Sequence, residues 1–131
     1  MRAYLPITPE NLHVLLNCGS IRAEYALVVD SVEIQSDAAT DEDEEEREFE
    51  ASWKASVKSR EIQGNPAAFG FVLALDLESG QIGATQADEV ALLSDISWSQ
   101  VQSLLVAESA EPELSWFAPQ EIATYLPQWL A

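Results

Sequence analysis

The chain has 131 residues, 23 acidic side chains against 6 basic ones, and a formal charge of −17 at pH 7. That length holds one core of ordinary size, and an apolar content of 47% can fill it, so a second domain and wholesale disorder are excluded. The acidity opposes phosphate backbones and anionic lipid, which repel a surface of this sign, and this sets nucleic acid and membrane aside as partners.

Met1 to Pro6 alternates as a strand, with Met1, Ala3 and Leu5 on one side and Arg2 and Tyr4 on the other. Thr8 is placed to cap a helix whose first position is Pro9, where the missing N–H costs nothing. Leu12, Leu15 and Leu16 form its apolar stripe, and Gly19 stops it. Tyr25 to Val29 is apolar and partly β-branched, a second strand.

From Asp37 to Glu50 there are nine acids and one arginine, a net of −8, so about half of the charge sits in a tenth of the chain. The stretch at about 36–46 is expected to be a flexible acidic loop, because it has almost nothing apolar to bury and its charges repel at helical spacing. It leads into a helix at 44–61, capped by Thr40 or Asp41. In that helix Phe49, Trp53 and Val57 form an apolar stripe at i, i+4 and i+8.

Gln63-Gly64-Asn65-Pro66 ends the helix. Phe69 to Leu75 is apolar on both alternating sets, as in an interior strand covered on both faces, and is expected to be the central strand. No clear period runs from there to Asp88. Val90 to Leu93, Val101 to Ala107 and Leu114 to Phe117 read as further strands, and Ser97 to Gln100 as a helical turn starting from a serine cap. Pro119 opens a last helix at 120–126 that Pro127 terminates. No repeat and no Gly/Ser linker is seen. The sum is a single α+β domain with a mixed sheet of about five strands and two or three helices.

Two segments carry a family resemblance. Met1-Arg2-Ala3-Tyr4-Leu5-Pro6-Ile7-Thr8 resembles the opening of a family of small, uncharacterised actinobacterial proteins. Leu114-Ser115-Trp116-Phe117-Ala118-Pro119-Gln120-Glu121 resembles its closing segment, in which an aromatic pair precedes Gln-Glu, and the acidic run before the second helix also fits. The chain departs from the pattern in its polar, Trp-containing second helix and in its short Ala107–Leu114 connection. The resemblance implies an α+β fold and brings no activity with it.

Candidate chemistry is sparse. His13 is the sole histidine and Cys18 the sole cysteine, so no Cys–His pair or His-based metal site can be assembled from two histidines, and Cys18 is expected to be a small packing residue at a helix end. A lone thiol suits a reducing compartment, the opening residues lack the apolar run of an export signal, and the uncharged run Ala67–Leu75 is about half of a membrane span; a cytoplasmic protein is expected. The run beginning Asp41, Asp43, Glu45 has Glu46 where a calcium loop needs glycine and Ser52 where it needs glutamate. Neither a phosphate-cradling glycine loop nor a Gly-x-Ser-x-Gly elbow occurs. No catalytic residue, metal or cofactor is therefore expected.

The best candidate for a polar site is the Trp116-Phe117 and Gln120-Glu121 group, with Arg2 and Tyr4 as neighbours if the first and last strands are adjacent. A structural Arg2–Glu121 pair would account for the same residues. Trp129, after Pro127, is a candidate anchor for a partner or a second copy. The leading functional reading is a non-enzymatic protein-interaction module with a protein partner or self-association. The alternative is a carboxylate-dependent enzyme built on Asp76 and Asp95 at strand ends, where turn or capping roles serve as well. A minor alternative is an acidic DNA mimic, against which the bunching of the acids argues.

Overall fold

The computed structural model describes residues 1–29, 41–86, 88–109, 111 and 113–130. Its elements are β1 (Arg2–Ile7), α1 (Pro9–Cys18), β2 (Ser20–Ile21), β3 (Tyr25–Leu27), α2 (Asp41–Gln63), β4 (Gly70–Asp76), β5 (Ile82–Gln86), β6 (Glu89–Leu92), β7 (Ile96–Ser97), β8 (Val101–Ala107), β9 (Ser115–Phe117) and α3 (Pro119–Leu130). Seven strands form one sheet in the order β5-β6-β3-β1-β4-β8-β9, and β2 pairs with β7 in a small ribbon. The class is α+β, as expected. The main sheet has seven strands instead of about five, and its pairs are antiparallel where a mixed sheet was expected. Gly19, at φ 80°, ends α1, β2 pairs with β7, and β3 then runs antiparallel beside β1, so no parallel crossover joins β1 to β3. β4 is interior, between β1 and β8, while β1 takes the middle of the seven places.

Helices cover both faces. The alternation of β1 sends Ala3, Leu5 and Ile7 into the larger core, where they meet Leu12 and Leu15 of α1 and Ile122 and Leu126 of α3. Tyr4 faces the other way and joins Leu27, Val72, Ala74, Ala51 and Ala55 in a smaller core under α2. Thr8 caps α1 through its Oγ1, which accepts from the Asn11 N–H at 3.2 Å.

The face that α2 buries is not the Phe49–Trp53–Val57 stripe. Ala51, Ser52, Ala55, Ser56 and Ser59 are buried, whereas Phe49 and Val57 are 37% and 39% exposed. Small residues win because the helix backbone lies directly on the sheet: a Cβ on Gly70 would stand 2.5 Å from the Ser56 carbonyl oxygen. The serines bury without unsatisfied hydroxyls. Ser52 and Ser56 donate to the carbonyls of Phe49 and Trp53 at 2.8 and 2.6 Å, and Ser59 donates to Ile7 O at 2.6 Å while accepting from the Phe71 N–H at 3.0 Å. The helix begins at Asp41, so residues 41–46 of the expected acidic loop are helical; residues 36–40, and with them the Thr40 cap, lie outside the described residues.

Pro127 does not terminate the last helix, which continues to Leu130. The bond it forfeits is to the carbonyl of Ala123, and both residues are exposed, so water can take its place. Trp129 holds the final turn by packing into the core.

Candidate functional site

The register of β1, β4, β8 and β9 lines up side chains on the α2 side of the sheet. Tyr4 pairs with Ala74 and Ala74 with Ser103; one step along, Val72 pairs with Leu105 and Leu105 with Trp116. Between Ala74 and Leu75 the β4–β8 register slips from Ser103 to Val101, so Gln102 is the extra residue of a β-bulge. A bulge re-aims its side chain, and Gln102 turns to meet Arg2, whose Nη2 donates to Gln102 Oε1 at 3.2 Å.

The result is a groove of about 410 Å³ lined by Arg2, Tyr4, Ala74, Gln102, Ser103, Leu105 and Trp116. Tyr4 is its buried floor. Burial pushes the Tyr4 hydroxyl pKa above its ordinary value, with the Glu48 carboxylate adding to the rise, while Arg2 pulls against both. Arg2 Nη1 also stands 3.6 Å from Glu48 Oε1, so the groove's cation is offset by α2. At the far end Trp116 is 62% exposed. This arrangement offers an aromatic surface, an apolar wall at Leu105 and hydrogen-bonding groups at one end, which suits binding. Among the described residues no group of three or more His, Cys, Asp or Glu side chains is placed to hold a metal ion.

Of the six residues singled out from the sequence, the structure gathers Arg2, Tyr4 and Trp116 and sends the other three elsewhere. The first and last strands are not adjacent, since β4 and β8 lie between them; the three meet because they share a face. Gln120 is exposed in the first turn of α3. Glu121 closes the start of that helix, its Oε1 accepting from the Ala118 N–H at 3.0 Å, and Arg2 pairs with Glu48 instead of Glu121. Trp129 packs edge-on against Phe71 and Phe117, with ring centroids 5.4 and 5.3 Å away, and stacks on Tyr125 at 6.0 Å, so it is half-buried against the core and not a free anchor. Asp76 accepts from the Met1 ammonium at 3.3 Å, and Asp95 is exposed. His13 contacts Asn17 at 2.9 Å on the outer side of α1, and Cys18 is exposed, not packed.

Sequence reasoning passed over Gln102, Ser103, Leu105 and Glu48. The apolar run of β8 gave no sign of Gln102, because a bulge is set by pairing with β4 and leaves no mark in the alternation of one strand, and nothing within the acidic run singled out Glu48 as the carboxylate that meets Arg2.

Fold and groove thus define a single-domain α+β protein, an antiparallel sheet with helices on both faces and an open groove beside α2. A model for a family of unknown function (DUF6912) matches residues 1–113, and the chain belongs to that family. The match takes in the opening segment and the groove residues from Arg2 to Leu105 and stops short of Trp116 and α3. No curated protein matches the chain, and no solved structure does. No helix among the described residues is long and apolar enough to cross a membrane.

Proposed function

We propose that the protein is a non-enzymatic protein-interaction module of the cytoplasm and that the groove beside α2 is its docking surface. The observation that carries this reading is Trp116, 62% exposed at the mouth of a groove whose other end holds Arg2 and Gln102. A large indole left in water forgoes roughly 2 kcal/mol or more of burial, which a partner can recover. Aromatic and arginine side chains around an apolar patch are the composition of interface hot spots, and the Arg2–Gln102 pair supplies polar groups that fix orientation. The lone exposed thiol of Cys18 is consistent with a reducing compartment.

The test compares affinity capture from a native lysate by the wild-type chain and by the Trp116→Ala and Arg2→Ala variants, alongside thermal shifts with a metabolite library. A protein retained by the wild type and lost by both variants, with no metabolite raising the melting temperature, supports the reading. A metabolite that stabilises the wild type but not an Asp76→Asn variant would overturn it in favour of a carboxylate enzyme.

A further inference from the structure

We infer that the groove, together with the adjoining flank of α2, seats a lysine- or arginine-rich amphipathic helix supplied by a partner protein. This rests on the docking role given to the groove and adds the partner's chemistry. The two faces of the sheet are covered unequally. One carries α1 and α3; the other, among the described residues, carries only α2, which lies over β1 and β4, with Ser59 on Ile7, Ser56 against Gly70 and Lys54 reaching Asp88 on the β6 side at 3.1 Å. Among the described residues nothing lies over β9 on this face, and α2 borders β8 without closing it off, so that Leu105 stays half-buried and Trp116 exposed. Two strands about 4.8 Å apart make a strip about as wide as one helix of roughly 10 Å diameter.

The flank of α2 that borders this strip is identified by Arg60, whose Nη2 donates to the carbonyls of Ala107 and Ser109 at the end of β8, at 3.1 and 2.8 Å. At about 100° per residue, Phe49 and Trp53 each fall within about 20° of Arg60 around the helix axis. Their rings stack with centroids 6.4 Å apart. Glu46 and Glu50 lie about 40° and 80° further round from Arg60, toward the outer side of the helix, and with Glu45 and Phe49 line an open depression of about 750 Å³. A helix laid in this valley would have aromatic side chains against its apolar stripe and carboxylates along its edge. The occupant's sign follows from charge complementarity. A second copy brings the same −17, and nucleic acid or anionic lipid would be repelled, whereas a basic helix is attracted.

The probe is a synthetic peptide of about five helical turns with leucines at i, i+3, i+4 and i+7 and lysines elsewhere, read by fluorescence anisotropy. Two control peptides are a scramble of the same composition and the same sequence with glutamate for lysine. The helical lysine peptide should bind at least about tenfold more tightly than the scramble and weaken as salt rises, and the glutamate peptide should not bind. Trp116→Ala and Phe49→Ser should each weaken it about tenfold while the protein still unfolds cooperatively at a similar temperature, and a Glu46→Gln/Glu50→Gln variant should flatten the salt dependence. Equal binding of the scramble, or indifference to both Trp116→Ala and Phe49→Ser, would overturn the inference. If the helical peptide fails while Trp116→Ala still loses a captured protein, the docking groove stands and the helical occupant falls. If Trp116→Ala changes neither experiment, both fall.

Discussion

The side-chain amides of Gln81 and Gln100 bond to each other in both directions: Gln81 Nε2 donates to Gln100 Oε1 at 3.0 Å, and Gln100 Nε2 donates to Gln81 Oε1. Each oxygen also accepts from the backbone N–H that opens its own 3₁₀ turn, Glu78 for Gln81 at 2.9 Å and Ser97 for Gln100 at 3.0 Å. Each Nε2 then reaches the carbonyl before the other turn, Gln81 to Asp95 O at 3.0 Å and Gln100 to Asp76 O at 3.1 Å. The two turns echo one another in sequence, Asp76-Leu77-Glu78-Ser79-Gly80-Gln81 and Asp95-Ile96-Ser97-Trp98-Ser99-Gln100. Asp76 and Asp95, the carboxylates at strand ends, thus occupy equivalent places in a structural clamp that uses their backbone carbonyls.

Gln81→Leu keeps the volume but strands the Asp95 carbonyl, the Glu78 N–H and half of the Gln100 amide. It should cost about 2–3 kcal/mol in urea unfolding, and the Gln81→Leu/Gln100→Leu double variant should cost at least about 0.5 kcal/mol less than the sum of the singles. Strict additivity would show that the two amides do not act as a pair.

Gly70→Ala forces a Cβ to within 2.5 Å of the Ser56 carbonyl oxygen and 2.9 Å of its Cβ, and α2 must lift to admit it. Its expected cost is about 1–3 kcal/mol, whereas Gly80→Ala, with nothing within 4 Å, should stay within about 0.5 kcal/mol of wild type. Parallel thermal melts of the two variants decide this.

Tyr4 gives a pH dependence with a definite sign. Its pKa is raised above 10 mainly by burial, so the folded chain keeps the phenolic proton to higher pH than the unfolded one. The stability linked to that proton is whole below the ordinary tyrosine value and is lost as pH rises through the folded one. Between about pH 9 and 11 the wild type should lose stability more steeply than Tyr4→Phe, read from urea midpoints. Parallel slopes would mean that this hydroxyl titrates alike in both states.

The two C-terminal tryptophans should separate cleanly. Trp129→Ala removes a ring packed on Phe71, Phe117 and Tyr125 and should cost about 3–5 kcal/mol. Trp116→Ala should change stability by no more than about 0.5 kcal/mol, since most of its surface is already in water. Comparable losses in chemical denaturation would place Trp116 in the core and remove the groove's anchor.

Features that one segment specifies through its own backbone were legible in the sequence alone. Thr8, Pro9 and Gly19 bound α1 because cap, ring and left-handed glycine act within a few residues, and β8 runs from Val101 to Ala107 as its apolar run indicates. The division of β1 into an Ala3-Leu5 face and an Arg2-Tyr4 face was equally local, and with it two thirds of the groove's singled-out trio were already on one side. What α2 would bury was not local. Burial of its serines instead of Phe49 and Val57 depends on how closely Gly70 lets it approach β4, a contact between segments that no helical period encodes. The same holds for Gln102, aimed by a bulge that exists only in register with β4, and for Trp116 and Trp129, both singled out from the sequence as candidate binding residues. Only the position of β9 at the sheet edge and the packing of α3 on Phe71 decided which faced water and which filled the core, because burial belongs to the assembled layers and not to either residue's neighbours in the chain.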